Sequence, residues 1–250
     1  MTPSPIRTVL SSMRTHGVRC LLMGGQACVF YGAAEFSRDT DLALLASPAN
    51  LDRFNAALSA LQAERIAVPP LEEEYLRRGH AVHVRCHHPD AAGMRIDVLS
   101  VMRGVAPFDE LWERRTTVEI AAGEPYDLLS LPDLVQAKKT QRDQDWPMLR
   151  RLVEAHYFQN REHASPDHVS FWLTELRTPA LLVELARANA NASMAHALVG
   201  RRPVIADAIR GDVSALEEGL RQEEAAERDA DRRYWQPLRA ELARLRRQRV

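Results

Sequence analysis

Cysteine is scarce in this chain, and its few cysteines follow no pattern. The 250 residues include three, Cys20, Cys28 and Cys86, with no C-x-x-C spacing between them. An odd number without such a spacing excludes an even disulfide framework. Two of the three lie in apolar segments, so we expect reduced and mostly buried thiols in a cytoplasmic protein.

Long apolar runs and an excess of either charge are also absent. No apolar segment is long enough to cross a bilayer, and residues 1–5 have neither the basic start nor the apolar core of a signal peptide. The 33 basic and 34 acidic residues nearly cancel, which excludes a general electrostatic attraction to nucleic acid. We therefore expect no membrane association, and any nucleic-acid partner must be held locally.

Lysine is the scarcest charged residue. The chain is rich in arginine, yet its only two lysines are adjacent, Lys138 and Lys139. A compact, flexible ammonium differs in its chemistry from a planar guanidinium, so two retained lysines indicate a role that needs an ammonium. The alternative is chance on a solvated helix face.

Strand-like and helix-like segments alternate in the first half of the chain. The spacing of apolar residues predicts helices over residues 5–15 and 50–63 and strands over residues 18–23, 39–44, 81–86 and 94–101. Residues 88–93 have the composition of a hairpin loop between the last two strands, which would place Arg85 roughly opposite Asp97. This alternation predicts an α/β (α+β) fold with a mixed sheet.

The second half of the chain has a helical pattern. A helix start at Leu131-Pro132-Asp133 precedes helical spacing through Tyr157, and nearly every later segment is helical as well. We predict a first domain of residues 1–130 and a helical region of residues 131–250, with the boundary between residues 125 and 165.

Two aspartates, Asp39 and Asp41, stand at the start of an apolar run. Alternate side chains of a strand share a face, so both carboxylates would point the same way. Two like charges this close need either a shared proton or a divalent cation between their oxygens. A hard cation such as Mg²⁺ suits the pair best.

Two glycines, Gly24 and Gly25, stand between a predicted strand and a predicted helix. Without Cβ atoms, a turn at this point would leave backbone N–H groups accessible at a helix start, where a phosphate can approach. The alternative is a purely structural turn.

These motifs together resemble a known family. Leu22-Met23-Gly24-Gly25-Gln26-Ala27 and Phe36-Ser37-Arg38-Asp39-Thr40-Asp41-Leu42 resemble the Gly-Gly helix and the Asp-x-Asp strand of the polymerase-beta-like nucleotidyltransferase superfamily. The resemblance extends over roughly residues 15–155 and points to the bacterial branch that includes toxins of abortive-infection toxin–antitoxin pairs. Many relatives carry arginine where this chain has Glu35, and an apolar residue where it has Thr40.

The resemblance implies a set of site residues. Asp39 and Asp41 would bind the metal ions, Mg²⁺ or Mn²⁺, that accompany a nucleoside triphosphate. Asp97, within Arg95-Ile96-Asp97-Val98-Leu99-Ser100, would supply a third carboxylate from a later strand. The residues expected to contact the triphosphate are Gly24, Gly25, Ser37, Arg85, Lys138, Lys139 and Arg142.

The resemblance also implies a reaction. A metal-dependent nucleotidyltransferase would move a nucleotide from a triphosphate to an acceptor hydroxyl and release pyrophosphate. The acceptor would be a tRNA end, a protein side chain or a small hydroxylated molecule, and a toxin would have an antitoxin partner. The alternative is a non-catalytic module that keeps the fold and binds a nucleotide or a partner protein.

A zinc site is a further alternative in the hairpin region. The candidate ligands are His80, His83, Cys86, His87 and His88. Strand alternation turns His83 and Cys86 to opposite faces, so the sequence favours a hairpin with exposed or cleft-edge histidines over zinc.

Overall fold

The computed structural model describes residues 4–34, 39–119, 123–191 and 193–248. The chain forms two compact units. The first comprises Met1–Phe30, Ala34–Ala137 and Tyr234–Val250, and the second comprises Tyr31–Ala33 and Lys138–Arg233. The change from the first unit to the second at residues 137 and 138 lies within the predicted boundary range of 125 to 165, whereas the end of the last helix belongs to the first unit.

The first unit is built on a mixed sheet. Its helices are α1 (Pro5–Thr15), α2 (Gly24–Phe30), α3 (Pro48–Ala60), α4 (Glu73–Arg77), α5 (Phe108–Glu113) and α6 (Leu131–Ala137). Its described strands are β1 (Cys20–Met23), β2 (Thr40–Leu44), β3 (Glu64–Arg65), β4 (Val82–Arg85), β5 (Arg95–Leu99), β6 (Thr116–Glu119) and β7 (Pro125–Leu128). They lie in the order β3-β4-β5-β2-β1-β7-β6, in which β2 pairs with β5 and β1 with β7 in parallel and the other pairs are antiparallel.

Alternate residues of β2 and β5 are buried on one face of the sheet. Leu42 and Leu44 of β2 and Ile96 and Val98 of β5 are fully buried there. Asp41 and Asp97 stand next to them along each strand and project from the other face, on which Ala43 is also buried. The mixed α/β class predicted from the sequence is confirmed, whereas the narrower assignment to a nucleotidyltransferase core stays a prediction.

The first helix has the bounds predicted from the sequence. Pro5 occupies the start of α1, where its missing N–H removes no helical hydrogen bond. The buried side chains are Val9, Leu10 and Met13, which lie on one face of the helix. Gly17 follows with a φ of +64°, a conformation that glycine adopts without steric cost and that turns the chain toward β1.

The second unit is helical. Its elements are α7 (Asp145–Asn160), α8 (Pro166–Glu175), α9 (Pro179–Ala188), α10 (Ser193–Val199), α11 (Val204–Arg210) and the start of the long helix α12 (Val213–Gln248), whose residues from Tyr234 onward belong to the first unit. Trp172, Leu182 and Ile205 are buried in its core. No helix in the described ranges combines the length and apolar character needed to span a membrane.

The helical spacing predicted from residue 131 through Tyr157 corresponds to two helices, of which the first begins at Leu131 as predicted. It ends at Ala137, and α7 begins only at Asp145. The intervening segment bonds to the first residue of α7 instead of continuing the helical ladder, because Lys138 and Thr140 both donate to the Asp145 carboxylate.

Candidate functional site

Two of the three predicted carboxylates meet in register on neighbouring strands. Asp41 of β2 pairs with Asp97 of β5 across a parallel ladder. Parallel partners project from the same face, and adjacent strands lie about 4.8 Å apart. Thr40 and Ile96, the preceding pair, are fully buried on the opposite face. The sheet therefore presents both carboxylates on its polar face.

Gly24 lies directly against the carboxylate of Asp41. It follows Met23, the β1 partner of Asp41, and it has a φ of +66°. A Cβ atom built on Gly24 would overlap Oδ2 and Cγ of Asp41. Glycine is required here both for the left-handed backbone and for the close approach of Asp41. The helix α2 begins at Gly24 itself, so no separate turn precedes it.

Asp97 is held by two basic side chains. Its Oδ1 accepts a hydrogen bond from Nε of Arg95 at 2.7 Å and lies 2.8 Å from Nδ1 of His83. Burial works to raise the pKa of Asp97, but the hydrogen bonds and charges of His83 and Arg95 outweigh burial and hold the pKa below its ordinary value. Asp97 is therefore ionised at neutral pH.

The ring of His83 has two possible partners at one atom. Nδ1 lies 2.8 Å from Oδ1 of Asp97 and 3.1 Å from Nη2 of Arg95. A protonated Nδ1 donates to the carboxylate, whereas an unprotonated Nδ1 accepts from the guanidinium. The same atom cannot do both, so the proton on His83 decides which neighbour it bonds.

The negative charges of the aspartates also act on Arg95. Burial works to lower its pKa, but the hydrogen bond to Asp97 and the negative charges of Asp97, Asp39 and Asp41 outweigh it and raise the pKa. Asp41 and Asp97 meet on one face of the sheet, whereas Asp39, predicted as the first residue of the strand, lies just before β2. Arg95 bonds to Asp97 as a cation that the sequence analysis did not assign to the site.

The predicted position of Arg85 is wrong by two residues. Arg85 pairs with Arg95, and His83 occupies the place opposite Asp97. The hairpin loop contains a 3₁₀ turn at Pro89–Ala91 and closes through Gly93, which donates to Cys86 O, so its centre lies nearer β4 than the sequence suggested. Arg85 is exposed on the same face as Asp97 and makes no hydrogen bond or ion pair with the described residues.

Sequence reasoning missed the roles of His83 and Arg95. Arg95 stands two residues before Asp97 in β5, and a strand places such residues on one face. That alternation was the available signal. The sequence predicts His83 as an exposed or cleft-edge histidine, but its position opposite Asp97 depends on the length of the hairpin loop.

Lys138 is buried in an ion pair. Its Nζ lies 3.0 Å from Oδ1 of Asp145, whose Oδ2 accepts from Thr140 at 2.6 Å and from Arg142 at 2.8 Å. Burial works to raise the pKa of Asp145, but the charge of Lys138 and the other donors outweigh it and lower the pKa. Lys138 and Arg142 thus share one carboxylate within the second unit.

Lys139 is paired as well. Its Nζ donates to Oε1 of Glu175 at 2.8 Å, and both side chains are nearly buried. The solvated-face alternative for the two lysines is therefore wrong. Their predicted contact with a triphosphate stays a prediction, and a phosphate at either lysine would compete with a carboxylate.

The remaining predicted residues are placed as follows. Ser37, and Glu35 before it, lie outside the described residues. Thr40, between the aspartates, is fully buried, and its Oγ1 has no hydrogen-bond partner among the described residues.

The histidines of the hairpin region have separate surroundings. His80 is fully buried, with Nε2 2.9 Å from Glu241, whereas His87 lies 3.7 Å from Glu64. His88 accepts from the N–H of Asp90. In the part of the chain that the structure describes, no group of three or more His, Cys, Asp and Glu side chains is already arranged to hold a metal ion.

No model of a known protein family matches the chain, and no curated protein matches it. The relation to nucleotidyltransferases therefore depends on the motifs and on the geometry of the site.

Proposed function

We propose that this protein is a metal-dependent nucleotidyltransferase. The observation that carries the proposal is the register of Asp41 with Asp97, together with a glycine whose missing Cβ makes room for the Asp41 carboxylate. Gly24 packs against a carboxylate on the polar face of the sheet and not against the apolar core. Its missing Cβ lets the Asp41 oxygens take a fixed position close to the start of α2.

The donor set fits a hard divalent cation. Asp39, Asp41 and Asp97 offer carboxylate oxygens, the ligands that Mg²⁺ and Mn²⁺ prefer. Oδ2 of Asp97 makes no hydrogen bond with the described residues, so one oxygen of that carboxylate remains available. The three aspartates would hold the cation, which when bound would neutralise phosphate charge and polarise the phosphoryl group.

The chain's own residues would act on both sides of the reaction. The acceptor hydroxyl attacks the α-phosphorus in line, the bond to the bridging oxygen of the β-phosphate breaks, and pyrophosphate leaves. The acceptor proton passes to the ionised Asp97 carboxylate. Arg85, exposed on the same face, would bind a phosphate of the triphosphate.

A non-catalytic binding module is the second candidate, and one observation favours it. The hydrogen bond from Arg95 already occupies Oδ1 of Asp97, and the two lysines expected to neutralise phosphate are already paired. A protein that binds a nucleotide without reaction would need no further change at these residues.

Binding and turnover separate the two candidates. A thermal shift with ATP, GTP, CTP and UTP should appear only with Mg²⁺ or Mn²⁺ and should disappear in Asp41→Asn. Release of pyrophosphate in the presence of an acceptor extract should follow the same pattern. Cation-dependent binding of a nucleotide, with no pyrophosphate released from any of the four nucleotides in the presence of the extract, would favour the binding module.

The resemblance to toxins adds a test in cells. A toxin should arrest growth when it is expressed alone, and Asp41→Asn should relieve the arrest. A small protein encoded beside this chain would then be the candidate antitoxin. Growth unaffected by the wild-type chain would argue against the toxin role and leave the enzymatic proposal standing.

A further inference from the structure

Among the described residues, Arg95 is a cation that bonds directly to the aspartate site. It projects from the same face of β5 as Asp97 and donates from Nε to Oδ1 at 2.7 Å. The negative charges of Asp39 and Asp41 also act on its guanidinium. Arg95 therefore lies in the negative field of the aspartates, where a bound cation would also lie.

Binding of a divalent cation would change the net charge of the site. Asp39, Asp41 and Asp97 carry three formal negative charges, and Arg95 bonds to Asp97. A cation that draws in Asp97 competes with the guanidinium for the same carboxylate. The side chain of Arg95 is 37% exposed, so it has a path to solvent or to a ligand.

The neighbouring strand adds a second reason for Arg95 to leave Asp97. Arg85 pairs with Arg95 directly across β4 and β5, and like charges in that position repel each other. The bond to Asp97 offsets this repulsion while the site holds no other ion. An anionic ligand between the two guanidinium groups would offset it equally well.

We propose that Arg95 is an internal counter-ion that competes with the divalent cation for Asp97 and turns to the triphosphate when the nucleotide binds. The inference depends on the proposed function, because it assumes that a cation is bound at the aspartates. It assigns Arg95 a positioning role through Asp97. Cation and nucleotide then strengthen each other's binding, and this coupling is reciprocal.

Mn²⁺ binding to the full chain without nucleotide tests the proposal. Free Mn²⁺ is counted by electron paramagnetic resonance during titration of the wild type and of Arg95→Gln. The variant should bind Mn²⁺ about tenfold more tightly, a modest effect for a charge-assisted hydrogen bond because Arg95 is partly exposed. Arg95→Lys, which keeps the positive charge, should stay near the wild type.

Arg85→Gln is the matched control. It removes the same charge from the adjacent position on the same face, but Arg85 has no bond to Asp97. Its Mn²⁺ affinity should not rise, because removing Arg85 relieves the repulsion that favours the departure of Arg95 and leaves the bond from Arg95 to Asp97 in place. An equal gain in both glutamine variants would show a general charge effect and overturn the role of Arg95.

A readout on the wild type covers the case in which Arg95→Gln fails to fold. The Nε–H of Arg95 should give a hydrogen-bonded ¹H–¹⁵N signal that shifts or is lost on saturation with Mg²⁺. A signal unchanged at saturation would overturn the proposal.

The outcomes also distinguish failure of the counter-ion role of Arg95 from failure of the metal site itself. Unchanged or weaker Mn²⁺ binding in a folded Arg95→Gln, with binding still dependent on Asp41, would refute the counter-ion and leave the metal site intact. Absence of Mn²⁺ binding from both wild type and variant would refute the metal site and the counter-ion role with it.

Discussion

Replacing Gly24 with alanine should damage both the fold and the site. Gly24 has a φ of +66°, and its Cβ would overlap the Asp41 carboxylate. An L-residue in the left-handed region costs about 1 to 2 kcal/mol. Displacing a packed side chain adds about 1 to 3 kcal/mol. We expect Gly24→Ala to lower the free energy of unfolding by about 2 to 5 kcal/mol, measured by urea titration.

Gly17→Ala separates the two contributions. Gly17 has a φ of +64°, and a Cβ at this position would meet nothing within 4 Å. Its replacement introduces the backbone strain without a steric overlap, so it should lower the free energy of unfolding by only about 1 kcal/mol. The difference between the two variants is the contribution of the contact with Asp41.

Cation binding gives the second comparison. Gly24→Ala must move the Asp41 carboxylate and should weaken Mn²⁺ binding at least about tenfold, the effect of removing one charge-assisted contact. Gly17→Ala should bind Mn²⁺ as the wild type does. Equal stability of the two variants, or wild-type Mn²⁺ affinity in a folded Gly24→Ala, would refute the argument that Gly24 makes room for Asp41.

Three further predictions concern stability. Thr40→Val removes a buried hydroxyl that has no hydrogen-bond partner among the described residues. The free energy of unfolding, measured by urea titration, should therefore rise by about 1 kcal/mol. A decrease would show that the hydroxyl is bonded. Lys138→Ala leaves the Asp145 carboxylate with Thr140 and Arg142 and should lower the free energy of unfolding by about 2 to 3 kcal/mol; no change would show that the pair contributes nothing. The pKa of Asp145 is lowered in the folded state, so its contribution is present above the ordinary value of 3.8 and is lost as the pH falls through the lowered pKa. The difference in stability between the wild type and Asp145→Asn should therefore narrow below about pH 4, and a constant difference down to acid denaturation would contradict the assignment.

The sequence predicted those features that depend on local pattern. Alternation within β2 and within β5 placed each aspartate on the polar side of its own strand, and the bounds of α1 followed from Pro5 and Gly17. Each of these features depends on residues close together in the chain. Local stereochemistry is enough to determine them.

Features that depend on loop geometry escaped prediction. The partner of Asp97 is His83 and not Arg85, because a 3₁₀ turn shifts the centre of the hairpin. The helix that begins at Leu131 ends before Lys138, because tertiary partners of Lys138 replace its helical continuation. The ion pair between Lys139 and Glu175 joins residues far apart in sequence, and no local pattern reports it.

A crystal structure with Mn²⁺ and a non-hydrolysable nucleoside triphosphate tests the central claim most directly. The account predicts anomalous density for Mn²⁺ within about 2.5 Å of carboxylate oxygens of Asp41 and Asp97, with the triphosphate on the same cation and Arg95 turned away from Asp97. Nucleotide bound elsewhere in the chain, with no Mn²⁺ at Asp41 and Asp97, would contradict it.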